Sequence, residues 1–185
     1  MKKTILCLTL IYSFFNIDID ARVLPQDVIW NNDETGYYTI DENSIVLVST
    51  IGKKDRKILS SEDVKNKKIE SFSFSQDKKN VLIFTNSVRV WRYNTRGNYW
   101  VYNLKTKQGK RLGSTLPDRS LMFAKFSPNG KKIAYVSKEI IPNSFRNSST
   151  RANIYLETVE GNSIVKLTES DEKGKIINGT FDWVY

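Results

Sequence analysis

The 185-residue sequence contains no histidine. That excludes a histidine general base, a histidine-ligated metal and any Ser-His-Asp triad made by this chain alone. Its single cysteine, Cys7, excludes an intrachain disulfide and a cysteine-based zinc site. No long segment carries the 3.6-residue apolar period of a packed helix. Carboxylate pairs are few. Asp18/Asp20 lies in the leader and Asp41/Glu42 in an expected turn, so neither suggests acid–base catalysis. We therefore expect no catalytic residue, no metal and no cofactor. Acidic residues are in deficit, 20 against 29 Lys plus Arg, for a formal net charge of +9. A basic balance invites a nucleic-acid reading, but the N-terminus argues otherwise.

Met1-Lys2-Lys3 is a short positive start, followed by an apolar stretch over residues 4–15. As a helix that stretch spans about 18 Å, too short for a hydrocarbon core of roughly 30 Å. A positive flank and a short apolar core are the layout of a secretory signal peptide. The expectation is a signal over residues 1–21, cleavage near Ala21, and a mature chain from residue 22 in the periplasm or secreted. An uncleaved anchor and a buried first strand are the competing readings. Cys7 lies too early, after Leu6, to be a lipid-attachment site. An exported protein rarely meets chromosomal DNA, so no nucleic-acid partner is expected. The lysine runs at 53–57, 65–68 and 105–111 read as solvated turns.

The rest of the chain alternates short apolar and aromatic runs with turn residues. Strands are predicted over 27–30, 36–40, 45–50, 69–75, 80–85, 99–104, 121–127, 132–137, 152–158 and 164–168, rich in Val, Ile, Tyr and Phe. Asn129-Gly130 suits a hairpin turn with positive φ. The polar segment 143–151 reads as an inserted loop. The runs also repeat. Phe72-Ser-Phe74-Ser75-Gln76-Asp77-Lys78-Lys79 matches Ala124-Lys-Phe126-Ser127-Pro128-Asn129-Gly130-Lys131, 52 positions on. Tyr102 follows Phe74 by 28 residues, and Tyr155 follows Phe126 by 29. A glycine and a basic-Leu pair, Arg111-Leu112 or Lys166-Leu167, come next. A weaker copy begins at Val28-Ile29-Trp30-Asn31-Asn32-Asp33. Four short strands at a period of about 40–50 residues are β-propeller blades. A β-sandwich with two similar hairpins is the alternative. The fold class predicted is all-β, a partial β-propeller of about three four-stranded blades plus the start of a fourth. Such a set leaves apolar faces open, to be covered by further chain, a partner or a ring of copies.

The stretch Val90-Trp91-Arg92-Tyr93-Asn94-Thr95-Arg96-Gly97-Asn98-Tyr99-Trp100-Val101-Tyr102-Asn103-Leu104, the segment 121–130 and the closing Ile176-Ile177-Asn178-Gly179-Thr180-Phe181-Asp182-Trp183-Val184-Tyr185 carry a more specific signal. In this order they resemble the N-terminal propeller region of dipeptidyl peptidase IV-type enzymes, in the prolyl oligopeptidase group of serine peptidases. The resemblance covers about residues 69–185, and residues 22–68 fit only by position. It implies an eight-bladed propeller joined to an α/β-hydrolase domain, and removal of dipeptides ending in Pro or Ala from peptide N-termini. It implies a peptide substrate, and a substrate-binding role for Arg92, matching an Arg that contacts a backbone carbonyl. A planar, permanently charged fork suits that role.

The sequence departs from the pattern at Tyr185, before the Glu pair that follows Asp-Trp-Val-Tyr in the family, and it contains no Gly-x-Ser-x-Gly elbow. The reading is the propeller portion of an exported exopeptidase, without its hydrolase domain and inactive as a lone polypeptide. The alternative is a non-catalytic periplasmic propeller that binds peptide or protein. Arg89 and Arg96 read as strand-edge and loop charges, and Trp91, Trp100 and Tyr102 as packing residues. Asp182, Trp183 and Tyr185 read as an architectural strand. Asn147-Ser148-Ser149 and Asn178-Gly179-Thr180 are glycosylation sequons, relevant only in a host that glycosylates exported proteins.

Overall fold

The computed structural model describes residues 28–65, 67–90, 93–140, 150–161, 163–170 and 176–180. The signal segment and Asn147-Ser148-Ser149 lie outside them. Twelve strands run through the described residues. They are β1 Ile29–Trp30, β2 Gly36–Asp41, β3 Ser44–Ser49, β4 Arg56–Leu59, β5 Ser71–Phe74, β6 Asn80–Val90, β7 Tyr93–Asn103, β8 Gly109–Arg111, β9 Leu121–Phe126, β10 Lys132–Ile140, β11 Thr150–Thr158 and β12 Ile164–Lys166. Each consecutive group of four is an antiparallel meander. The protein is all-β, a partial β-propeller with blade 1 from β1–β4, blade 2 from β5–β8 and blade 3 from β9–β12.

One turn, built three times, sets the blades. The amide of Asn31, Ser75 or Ser127 donates to the carbonyl of Gly36, Asn80 or Lys132, five residues on. In blade 2, Ser75 Oγ donates to Asp77 Oδ1 (2.7 Å), which also accepts the Lys79 amide (3.1 Å). In blade 3, Ser127 Oγ donates to Asn129 Oδ1 (2.8 Å), which accepts the Lys131 amide (3.1 Å). In blade 1, Asp33 Oδ1 accepts the Thr35 amide (3.1 Å). Side-chain oxygens thus stand in for backbone acceptors, as Asx and Ser turns do. The fourth residue is left-handed in each copy: Glu34 (φ 57°), Lys78 (φ 52°) and Gly130 (φ 67°). The positive φ expected of Asn129-Gly130 is there.

The middle blade is buried on both faces, which explains the unbroken apolar run at its heart. Successive strand side chains point to opposite faces. Val81, Ile83 and Tyr102 pack against Tyr38, Ile45, Leu59 and Val64 of the blade 1 side. Leu82, Val101 and Leu112 pack against Leu121, Ile133, Tyr135 and Tyr155 of blade 3. Burial of one such side chain contributes about 1.5–3 kcal/mol. On the outermost blade the position equivalent to the fully buried Leu112 is Leu167, which is 53% exposed.

A charged cluster sits inside the blade 2–blade 3 interface. Glu157 on β11 is 3% exposed. Its Oε2 accepts the Gly113 amide (2.9 Å) and the Tyr135 hydroxyl (2.9 Å). Its Oε1 faces Lys110 Nζ at 3.1 Å. Lys110 also donates to the Thr158 and Gly161 carbonyls, at 2.7 and 2.5 Å. Every atom of the buried carboxylate therefore has a partner, as a charge at this depth requires.

Three expectations are corrected here. The third strand of the repeat is out of step. Tyr102 pairs with Val81, but Glu157, not Tyr155, pairs with the equivalent Ile133. The β10–β11 hairpin is longer, and matching Tyr102 to Tyr155 slips the register by two. A slip of two keeps every side chain on its face, so the apolar pattern could not reveal it. Second, the basic segments at 53–57 and 105–111 are not turns throughout: Arg56–Leu59 and Gly109–Arg111 are the outer strands β4 and β8, and Lys110 is drawn into the buried cluster. Third, the strands predicted over 80–85 and 99–104 are longer: β6 runs on to Val90 and β7 starts at Tyr93.

Gly97 allows the β6–β7 ladder to cross. It pairs with Leu121 of β9, joining blades 2 and 3 in one sheet. A Cβ on Gly97 would stand 2.6 Å from Phe84 Cε2 and 2.8 Å from the Thr85 carbonyl oxygen. The carbonyl belongs to the paired strand and cannot yield.

Three measurements follow from this packing. Glu157→Ala takes the acceptor from the Gly113 amide and the Tyr135 hydroxyl and the counter-charge from Lys110; we expect it to destabilise the fold by about 3–5 kcal/mol in denaturant titration. Gly97→Ala should cost about 1–3 kcal/mol by the same measure. The third concerns pH. Burial, then the Glu157 carboxylate, raises the Tyr135 hydroxyl above its usual value of 10; burial also raises Tyr99 and Tyr102. Neutral hydroxyls stabilise the folded state up to the ordinary tyrosine value, and that contribution is lost as pH climbs from there toward the raised folded-state values. The denaturation midpoint should fall progressively above about pH 10, and less steeply in Tyr135→Phe.

Candidate functional site

A groove lies between the segment that links β4 to β5 and the β6–β7 ladder. The groove encloses about 440 Å³ and is lined by Lys67, Lys68, Glu70, Thr85, Asn86, Ser87, Asn98 and Trp100. Lys67, Lys68 and Glu70 come from the segment linking β4 to β5, and the others from β6 and β7.

Blade 1 fixes the linker side. Its β2–β3 hairpin closes on Glu42-Asn43, both left-handed (φ 43° and 59°), the geometry of a two-residue hairpin turn. Asn43 Nδ2 donates to the Lys67 carbonyl (2.9 Å), and its Oδ1 accepts the Ile69 amide (2.7 Å). Lys67 Nζ donates to the Val64 carbonyl (3.0 Å) and stands 4.2 Å from the centre of the Trp100 ring. Burial, and secondarily the nearby Lys65 charge, lowers Lys67 below the ordinary lysine range.

The ladder side is fixed by Glu70. Its amide donates to the Phe84 carbonyl (2.9 Å), and its Oε1 accepts the Ser87 amide (2.8 Å). That contact holds the irregular stretch after Thr85, where Asn86 is left-handed (φ 54°) and the β6–β7 register shifts. Asn98, almost buried, donates from Nδ2 to Asp118 Oδ1 (2.9 Å) and accepts the Arg119 amide (2.9 Å), locking the ladder to the segment before β9.

Two lysines, an indole face, a carboxylate and side-chain amides suit recognition of polar or charged groups, not bond-making. Among the described residues no cluster of three or more His, Cys, Asp or Glu could hold a metal.

Of the residues singled out in the sequence, Arg92 and Trp91 lie outside the described residues, as do Asp182, Trp183 and Tyr185. Arg89 lies on β6, and Arg96 on β7 rather than a loop. Tyr102 is buried and Trp100 half-buried against the same blade 1–blade 2 core. Asp41 ends β2, and Glu42 belongs to the hairpin turn. The Asn178 side chain donates to Asn153 Oδ1 (3.2 Å). Asn43, Glu70 and Lys67 escaped the sequence reading, because an asparagine in a turn and charges in a polar linker carry no local mark of what they will meet.

Comparison with known proteins agrees with this geometry. The family model described as "Dipeptidyl peptidase IV (DPP IV) N-terminal region" matches residues 75–185, more than half of the chain. Human prolyl endopeptidase FAP is 29% identical over 156 residues, 84% of this chain and 19% of the relative. Dipeptidyl aminopeptidase B of Saccharomyces cerevisiae is 29% identical over 171 residues, 90% of this chain and 19% of the relative. The chain thus spans about a fifth of the length of these curated relatives. In fold, it resembles Porphyromonas gingivalis dipeptidyl peptidase 4 with a TM-score of 0.64 at 21% identity, over 84% of this chain and 21% of that one. Strands β6 and β7 and all of blade 3 fall within the matched residues, and on that match the chain belongs to the dipeptidyl peptidase IV N-terminal region family.

Proposed function

We propose that this chain is the propeller portion of an exported dipeptidyl peptidase IV-like serine exopeptidase, gating access and positioning the peptide N-terminus. The observation that carries the reading is the family match, which runs through the whole stretch bearing Arg92. The relatives bear the names of an endopeptidase and an aminopeptidase, which fits a peptide ligand here.

In this reading Arg92 holds a backbone carbonyl of the peptide with charge-assisted hydrogen bonds. Fixing the peptide removes part of the entropic barrier to attack by a nucleophile. That nucleophile, its base and the paired α/β-hydrolase domain belong to sequence beyond these 185 residues, which hold no histidine. The leader directs export, with cleavage after Ala21.

Three experiments test this. The purified chain should bind an Xaa-Pro tripeptide in calorimetry, and Arg92→Ala should weaken binding by about 10- to 100-fold, with Arg92→Lys failing to restore it. The same chain should release no chromophore from a dipeptide–Pro chromogenic substrate; turnover above background would show that chemistry resides here after all. Mass spectrometry of the exported chain should find Arg22 at its N-terminus.

A further inference from the structure

Two lysines line one groove without an ion-pair partner among the described residues. Lys67, half-buried, and Lys68, exposed, both border the cavity of about 440 Å³ beside the β6–β7 ladder. The nearby acids are committed elsewhere. Asp63 accepts the Ser60 amide (2.8 Å) and faces Lys107 Nζ at 4.0 Å. Glu70 gives one oxygen to the Ser87 amide. Among the described residues no carboxylate oxygen lies within 4.0 Å of Lys67 Nζ or Lys68 Nζ.

Lys67 is fixed in place before any ligand arrives. Asn43 clamps its backbone, and its ammonium donates one hydrogen bond, to the Val64 carbonyl, with the centre of the Trp100 ring 4.2 Å away. An ammonium has three donors, so two remain. Burial, then the neighbouring Lys65 charge, disfavours its charged form, an imbalance that a nearby anion corrects. On the ladder side, the Asn86 side-chain amide and the Ser87 hydroxyl have no hydrogen-bond partner among the described residues. The charges of the lining select the ligand. Two ammonium groups against one carboxylate leave a single positive charge. That balance suits a monoanion, because a second negative charge would meet Glu70. A carboxylate offers about four acceptor positions, and the two ammonium groups, the amide and the hydroxyl are the donors available to fill them. A cavity of this size also has room for the small organic molecule behind the carboxylate.

We propose that this groove is a binding site for a small organic carboxylate, held by Lys67 and Lys68 with Asn86 and Ser87 as neutral donors. The site goes beyond the peptide reading above and does not rest on it, since every residue it uses is its own.

The test uses the complete chain in calorimetry with three probes: N-acetylalanine, its uncharged amide N-acetylalaninamide, and inorganic phosphate above its second pKa. N-acetylalanine should bind, the amide should bind about tenfold or more weakly, and phosphate should not compete. Lys67→Gln and Lys68→Gln should each weaken N-acetylalanine by about tenfold, whereas Lys125→Gln, on β9 outside the groove, should leave it unchanged. Glu70→Gln keeps an acceptor for the Ser87 amide and should admit phosphate; if phosphate stays excluded, Glu70 is not the selecting charge and the inference fails. The net charge of +9 supplies the rival explanation, diffuse attraction of any anion. It predicts that phosphate competes in wild type and that Lys125→Gln weakens binding as much as Lys68→Gln, and that result overturns the inference. Equal affinity for N-acetylalanine and its amide, or binding of neither, overturns it as well. Should Lys67→Gln fail to fold, the exposed Lys68→Gln decides alone, and unchanged binding in it is fatal to the proposal.

Discussion

The buried carboxylate of Glu157 is the constraint on which the relation between blades 2 and 3 depends. Apolar faces bring two sheets together but set their mutual position only loosely, because area is not directional. A charge at 3% exposure is directional. Glu157 must have Lys110, the Gly113 amide and the Tyr135 hydroxyl all within reach, and those three groups come from the outer strand of one blade, the connection that leaves it, and the second strand of the next. Sliding one blade past the other by a single residue would part the carboxylate from Lys110 and the Gly113 amide, leaving it only the Tyr135 hydroxyl of its own blade. The stacked pair Tyr135–Tyr155, 5.8 Å between centres, closes the cluster from one side. The blade 1–blade 2 contact is made differently. There Lys107 donates to the Ile58 carbonyl and Asn43 clamps the linker, so the two interfaces share polar pins but not the same residues.

Much of this was legible in the sequence, and the reasons are physical. Strand existence and the repeat came through because burial on two faces forces unbroken apolar runs such as Val81–Phe84, and because the Ser/Asn-Asp/Asn turn has few residue solutions. The outer strands β4 and β8 did not. An edge strand protected by lysine and arginine reads like a loop, since the charges that blunt the edge also hide the strand. The long hairpins were missed for a related reason. Beyond Thr85 the β6–β7 ladder is held by a bulge, by Glu70 and by Gly97, and bulged strands lose the two-residue alternation that a reader looks for.

The candidate site was legible only by resemblance. Nothing in the sequence around Arg92 distinguishes it from an exposed arginine, and only the resemblance suggests a role for it. The groove depends on contacts between segments far apart in the chain: Asn43 with Lys67 and Ile69, and Glu70 with Ser87. Such pairings follow from the fold, and no spacing rule anticipates them. Phe123 shows the reverse. Its identity is plain in the sequence, but its left-handed backbone (φ 56°), at the β-bulge where β9 meets β10, is visible only in three dimensions.

The three second-to-third-strand connections are unequal in height. Asp41 in blade 1 is equivalent to Thr85 in blade 2 and Ser137 in blade 3 by the shared turn hydrogen bonds. Blade 1 folds back at once, but β6 continues to Val90, five residues further, or about 16 Å at the usual rise of a strand. The β6–β7 ladder of blade 2 therefore extends well past the level at which blade 1 turns back, so neighbouring blades with the same turn end in rims of different reach.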